Sequence, residues 1–495
     1  MLPPAHAVGD RTPALGLDPR ALACSRIGLG LLAAADGLFR LTDAQAMYSD
    51  RGVLPRAAAV QHFDFLLDHA FSLHMAGGSL FWAVTLLCLQ VLAGLSLAVG
   101  WRTRTSALLL YLLLAGVQLR NLFVGGGYDA MLRLCVLWAA LAPVSRVWSV
   151  DAVHHPPADP EAPATDLGSL GLFAQVVIVY VAAGYAKLAE PTWRSGEALE
   201  LILQAEFHTR PLGHILAGFP ALCSAITSVT GWVEVCWPLV FLVPLRRGPV
   251  RTAVLAALAL LTLSFLLVLY VDFFPLVAVV GLSALVPAWA FDRLGLTVER
   301  LAPTGLAERL PAGVRSGPWS ARMAQLAAVP LLLFTLVWNA GVAQDPQYTG
   351  APGIRQFGQA LFLQQGWQMF GRPASRSGWV TVTGRTFAGE EVDLLALGGP
   401  TPRDRPARSP VSSSSSAPQR PYRNMRWMLL LKRIAYGQQD AASEFSRYHC
   451  REWNRGRDGD QRLSTLEIAF YNHPIPDPQG MGVTREVVWD HGCYR

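Results

Sequence analysis

The chain has 495 residues, 52% of them hydrophobic and 15% charged, with a net charge of +6. Soluble domains average about 25% charged residues, so this deficit excludes an ordinary soluble enzyme and indicates a polytopic membrane protein. The basic residues are scattered through loops, with no basic tract and no aromatic–basic interleaving. That excludes a nucleic-acid partner and makes the lipid bilayer the principal one.

Residues 1–20 lack a basic start followed by an apolar run, so they read as a cytoplasmic N-terminal segment. The first apolar stretch is then expected to stay as a membrane helix. Nine segments have the length and apolarity to span: 21–40, 78–100, 105–124, 128–147, 168–189, 221–245, 252–271, 273–291 and 324–342. Stretches 56–76 and 195–218 are less apolar and carry His62, His69, His74, Glu206 and His208. They read as interfacial or re-entrant helices on the outer surface of the bundle.

Arginines set the orientation. Starting with the N-terminus inside, the inside segments hold Arg20, Arg102, Arg104, Arg146, Arg251 and Arg293, among others, whereas the outside loops hold few. By the positive-inside rule the N-terminus is cytoplasmic. An odd number of spans then places residues 343–495 outside a plasma or inner membrane. Lys187, at the outer end of the fifth span, faces the same side.

The tail, 343–495, reads as a separate unit. Gly378 to Leu395 alternates with period two around turn glycines and predicts a hairpin. Residues 400–421 are a Pro/Ser/Arg-rich flexible loop. Met425 to Tyr448 is helical in pattern, and Thr465–Tyr471 and Arg485–Trp489 alternate as strands. The fold class is thus an all-α polytopic membrane helical bundle over 21–342, about nine spans plus interfacial helices. A small C-terminal α+β extramembrane domain follows it. Five of the seven cysteines lie in or beside apolar segments; Cys450 and Cys493 lie in the tail and can pair if it faces an oxidising compartment.

Lys187 is one of few lysines in an arginine-rich chain and closes an apolar run. Two readings stand: a helix-end lysine snorkelling to lipid phosphate, or a base that gives up its charge on burial. Glu234 is isolated in an apolar helix and either pairs with an arginine or carries protons. Arg120, Asp129 and Arg133 lie around one short outer hairpin and are expected to cluster, as an ion-pair lock or as an anion or quinone-oxygen site. His62 and His69, seven apart, share a helix face, but no HExxH or i,i+4 histidine pair occurs, so no metal is expected.

Several phrases occur together. Tyr48-Ser-Asp-Arg-Gly-Val-Leu-Pro55 follows the first span and Trp148-Ser-Val-Asp151 the fourth. Tyr180-Val-Ala-Ala-Gly-Tyr-Ala-Lys187-Leu188 runs on to Trp193-Arg-Ser-Gly196. Glu234 and Pro275 come later. In this order the set resembles the HTTM (horizontally transferred transmembrane) family, which includes the vitamin K-dependent γ-glutamyl carboxylases. The resemblance covers roughly residues 20–290 and extends to Trp367-Gln-Met-Phe370.

The resemblance implies a lyase whose cofactor is reduced vitamin K or another hydroquinone, with Lys187 as catalytic base. Oxygenation of the hydroquinone yields a strong base that takes a γ-proton of glutamate, and the carbanion captures carbon dioxide. Tyr180, Trp193, Glu234, Arg120, Arg133 and Asp129 would then bind substrate or quinone, and a protein or peptide substrate would approach from the extracytoplasmic side. Two departures matter. The family's histidine ahead of Trp-Ser-Val-Asp has no counterpart in Gly125-Gly-Gly-Tyr-Asp129, since His154 and His155 come only after that phrase. The tail is also far shorter than the carboxylase's lumenal region. A transporter or lipid-handling protein, and a non-catalytic scaffold whose outer domain binds a partner, stay open as alternatives. The lack of an internal repeat speaks against inverted-repeat transporters.

Overall fold

The computed structural model describes residues 15–67, 69–205, 207–242, 247–313, 317–345, 347–395, 422–476 and 482–493. The expected loop 400–421, Glu206 and most of the N-terminal segment lie outside the described residues. Nine helices build the membrane half: α1 (Pro19–Leu41), α2 (Leu80–Val99), α3 (Thr103–Arg120), α4 (Gly127–Leu141), α5 (Leu167–Ala189), α6 (Pro220–Cys236), α7 (Arg247–Val268), α8 (Phe274–Ser283) and α9 (Pro318–Gln344). Local chemistry sets their starts. The Asp18 carboxylate accepts the Arg20 N–H ahead of α1, the Ser79 hydroxyl accepts the Trp82 N–H at α2, and Asp166 accepts the Ser169 N–H at α5.

Among the described residues, six helices are long and apolar enough to cross a membrane: α1, α2, α5, α6 continued to Phe241, α7 from Gly248, and α9 from Trp319. The other three expected spans are different in kind. α3 has Arg104 in its first turn and Arg120 at its end. α4 has 15 residues and stops ahead of Pro143; α8 has 10 and stops ahead of Pro287. Every residue of α4 from Met131 to Leu141 is buried. A largely apolar helix buried on every face belongs in an interior, and α4, with Arg133 as its one buried cation, sits there against α3, α5 and α8.

Small residues let the helices meet closely. A Cβ on Gly30 of α1 would lie 2.5 Å from the Gly94 carbonyl and the Ala98 nitrogen of α2. Close backbone approach through small residues is the usual means of helix packing in lipid, where burial of apolar surface gives no drive.

The bundle has two distinct ends. At one, Arg20 reaches Asp292 at 2.7 Å, Arg26 donates to the Trp148 carbonyl, and Asp151 accepts the Arg102 and Thr103 N–H groups. At the other lie short helices at Arg56–Leu67, Ala198–Leu203 and Pro211–Ala217, and on this end the tail docks.

The tail has a four-stranded antiparallel sheet in the order β2–β1–β3–β4, with β1 Arg376–Thr386, β2 Glu391–Asp393, β3 Leu463–Pro474 and β4 Thr484–Gly492. Helices α10 (Met425–Ala435) and α11 (Gln439–Asn454) pack beside it. A disulfide joins Cys450 on α11 to Cys493 beyond β4. The expected hairpin, helical stretch and two later strands all form here. The tail's apolar core is not its own, however. Leu430, Leu431, Phe445 and Phe470 belong to one hydrophobic cluster with Met47, Val53, Phe123 and Phe207 of the bundle.

Candidate functional site

The site begins with how α5 ends. Glu190 is extended (φ −86°, ψ 130°) because Pro191 follows it, and residues before proline avoid the helical region. The chain turns through Pro191–Arg194 to Gly196, whose φ of +85° suits glycine. This turn folds the Trp193 ring back to the Lys187 ammonium, 5.4 Å from its centroid.

Lys187 and Glu234 are brought together by a glycine crossing. A Cβ on Gly184 would lie 2.8 Å from the Gly231 carbonyl and from the Glu234 Cβ. Each glycine stands three residues before its charged partner, and residues three apart share a helix face. The Lys187 Nζ donates to Glu234 Oε2 at 2.6 Å, with both side chains buried. Lys187 is thus buried and ion-paired and does not extend to the surface as a snorkelling lysine would. Glu234 meets a lysine where an arginine was one expectation. Just beyond it, Pro238 cannot donate to the Glu234 carbonyl, and the helix changes to a 3-10 turn over Trp237–Phe241.

Tyr180 lies two turns before Lys187, with its ring against Trp237 and its hydroxyl hydrogen-bonded to Thr262 at 3.0 Å. Trp193 donates from Nε1 to the Phe370 carbonyl at 2.9 Å. Phe370 holds a left-handed backbone (φ +54°), rare for a bulky residue and a form of strain that clusters at functional sites. Its ring packs edge-on to His208, and His208 Nε2 is 2.7 Å from the Nζ of Lys432 on α10.

Arg120, Asp129 and Arg133 do not pair with one another, contrary to the sequence reading. Asp129 pairs with Arg40 at 2.5 Å, Arg120 binds the Leu54 carbonyl and Asp50, and Arg133 donates to Gln118. Spacing along a hairpin cannot reveal partners from other segments, and Arg40, Asp50 and Leu54 are such partners, while Arg133 turns instead to Gln118 on the hairpin itself. Arg40 links Asp129 to Asp36, and Arg426 of α10 reaches Asp36 at 2.7 Å, closing a buried Asp–Arg network between tail and bundle. Tyr48 and Gln90 hydrogen-bond into it.

Other residues singled out in the sequence lie elsewhere. His154 and His155 bind the Leu310 and Gly313 carbonyls at the end of the bundle opposite Lys187. His62 faces Asp440 and Glu444 of the tail. Tyr448, His449 and Trp453 line a tail cavity of about 440 Å³ together with Trp427 and Arg457. Sequence reasoning missed Arg426 and Lys432. Their signal was α10 itself, a strongly amphipathic stretch carrying Arg426 and Arg433 seven residues apart.

These features define a helical membrane protein with a buried Lys–Glu pair under a docked α+β tail. The chain belongs to the HTTM domain family, whose model matches residues 16–288. Resemblance to the vitamin K-dependent carboxylases is a general property of that family. Neither the curated proteins nor the solved structures compared with the chain provide a match.

Proposed function

We propose that this HTTM protein is a membrane enzyme of the γ-carboxylase-like type, a lyase, in which Lys187 accepts a proton from the hydroxyl of a lipid-soluble hydroquinone. The observation that carries the reading is the buried 2.6 Å contact between Lys187 Nζ and Glu234 Oε2. The pair has no net charge whether its proton rests on nitrogen or on oxygen. Lys187 can therefore stand as an amine, with Glu234 holding the proton it gave up, and no charge has to enter the apolar layer. An amine so placed is a general base for an acidic hydroxyl.

The chemistry of the surrounding residues fits reduced vitamin K or a related hydroquinone. Trp193 flanks the pair, and Tyr180 and Trp237 form the next aromatic layer. Tyr185 and Trp232, 53% and 60% exposed, carry rings on the outside of the same two helices, where a bilayer-dissolved molecule would approach. When bound, the hydroquinone supplies the reducing equivalents from which oxygen generates a base strong enough for a carbon acid. Lys187 and Glu234 hold and move the proton; Trp193 shields them from water and orients the ring.

In the same reading all nine helices lie in the bilayer, with α4 enclosed by its neighbours and α3 presenting Leu108, Leu109 and Leu112 to lipid. The Arg20 end faces the cytoplasm and the tail lies outside. The arginine excess near the Arg20 end supports this, as does the Cys450–Cys493 disulfide, since such bonds persist in oxidising compartments. A protein or peptide substrate would meet the bundle at the tail.

The test is reconstitution in liposomes with a reduced quinone, labelled bicarbonate and an acidic peptide, comparing wild type with Lys187→Ala at matched membrane levels. Label incorporated by the wild type and lost in the variant is the expected result. Equal incorporation by both would reduce the pair to an interhelical lock.

A further inference from the structure

Two of the chain's 41 lysine and arginine residues are lysines, Lys187 and Lys432. They lie some 245 residues apart in sequence, one in the HTTM region and one in the tail, yet a single run of contacts joins them. Lys187 Nζ stands over the Trp193 ring at 5.4 Å. Trp193 Nε1 donates to the Phe370 carbonyl, the Phe370 ring packs against His208 at 6.3 Å, and His208 Nε2 lies 2.7 Å from Lys432 Nζ. Arginine serves at every other basic position. Arginine cannot release its proton in a protein, whereas lysine can.

We propose that Lys432 and His208 form a second proton-exchanging pair for the same substrate site, on the tail side of the Trp193–Phe370 wall. The inference rests on the reading of Lys187 as a base and adds to it a group supplied by the tail. The geometry limits the pair's charge. Two cations cannot share a hydrogen bond at this distance, so either the ammonium donates to a neutral imidazole or the imidazole donates to a neutral amine. Neither residue forms an ion pair with a carboxylate among the described residues.

Arg433, next along α10, donates to the Leu122 and Gly125 carbonyls. On the bundle side, Tyr270 donates its N–H to the His208 carbonyl, and Arg210 stacks on the Tyr270 ring at 4.8 Å. Burial pushes the Lys432 amine below its ordinary range, with Arg433 adding to the effect. Burial likewise pushes His208 down to about 4, with Lys432 adding to it, so the imidazole is the neutral partner at neutral pH. The step is then simple. The Lys432 ammonium gives one proton to an anionic oxygen on the substrate side, and the amine that remains keeps a second N–H on His208 Nε2.

Two side-chain amines in one chain make the experiment clean. The full chain in lipid nanodiscs is trace-labelled with acetic anhydride across pH, and acetylation at Lys187 and Lys432 is read by peptide mass spectrometry. Lys432 is expected to reach half-maximal reactivity below the pH of a free lysine, about 10.4, and His208→Ala is expected to move that midpoint. Lys432→Arg, which keeps the charge but cannot release a proton, is expected to lower turnover at least about a hundredfold, the smaller end of general acid–base effects. An ordinary lysine profile at Lys432, no labelling at any pH, or full turnover in Lys432→Arg would each overturn the proposal. If no turnover is found with any quinone, the reading of Lys187 fails, while the labelling profile still decides whether Lys432 and His208 exchange a proton.

Discussion

The Gly231 carbonyl lies 2.8 Å from where a Cβ on Gly184 would stand, and three residues further along each helix Lys187 meets Glu234. The ion pair therefore depends on a backbone crossing that admits no side chain. Gly184→Val should force α5 and α6 apart, at a cost of about 1–3 kcal/mol for overpacking. Thermal unfolding in nanodiscs would show the loss, and Lys187 should become more reactive toward amine reagents. An unchanged melting temperature and unchanged Lys187 reactivity would mean that the crossing is looser than described.

Arg426 is the tail cation that reaches the buried Asp36 of the bundle. Arg426→Ala leaves Asp36 with Arg40 alone, and breaking a buried pair costs about 3–5 kcal/mol. Unfolding temperature and release of the tail to protease should both report it. Arg426→Met combined with Asp36→Asn should recover part of the loss, because the orphaned charge is then gone. If the double variant is no better than Arg426→Ala, the contact between Arg426 and Asp36 is not what holds the tail.

How far the sequence led depends on which partners are close along the chain. The helices, the hairpin and the prominence of Lys187 were legible from hydropathy, alternation and one misplaced ammonium. Lys187 meeting Glu234 was not, because the pairing depends on Gly184 and Gly231, which look like any membrane-helix glycines until the two helices are crossed. The expected Arg120–Asp129–Arg133 cluster failed for a related reason. Arg40 outcompetes its neighbours for Asp129, and nothing local to the hairpin announces a helix 89 residues earlier. Arg426 is a still more distant case, 390 residues from Asp36. The count of nine spans drew on apolar length and the arginine bias of the loops, and apolar length cannot tell a lipid-facing helix from an interior one such as α4.

Acid should destabilise the protein through its buried imidazoles. Burial holds His74 and His449 down to about 3 and His208 to about 4, against an ordinary value of about 6.5. Between those values the unfolded chain binds more protons than the folded one, so stability rises with pH there. It is fully present above about 6.5 and lost as pH falls. Each histidine contributes up to about 1.4 kcal/mol per pH unit. Chemical unfolding at pH 7 and pH 5 should show the difference, and His449→Phe should reduce it. A flat profile over that range would mean that these rings are solvated.

The disulfide ties α11 to the end of β4 across 43 residues. Removing it by Cys450→Ala should cost about 2–4 kcal/mol by the loop-closure argument. The loss should show as faster hydrogen exchange in β3 and β4, with the bundle unaffected. Equal loss of protection in α1 and α2 would instead indicate that tail and bundle unfold as one unit.

The most direct test of Lys187 as a base is chemical rescue. Hydroquinone oxidation by Lys187→Ala is measured in nanodiscs with and without small primary amines. A loss of about 10²–10⁴-fold is expected on truncation, the usual range for a general base. Partial recovery that grows with the basicity of the added amine is the result this account predicts. Wild-type rates in Lys187→Ala without any amine would contradict it.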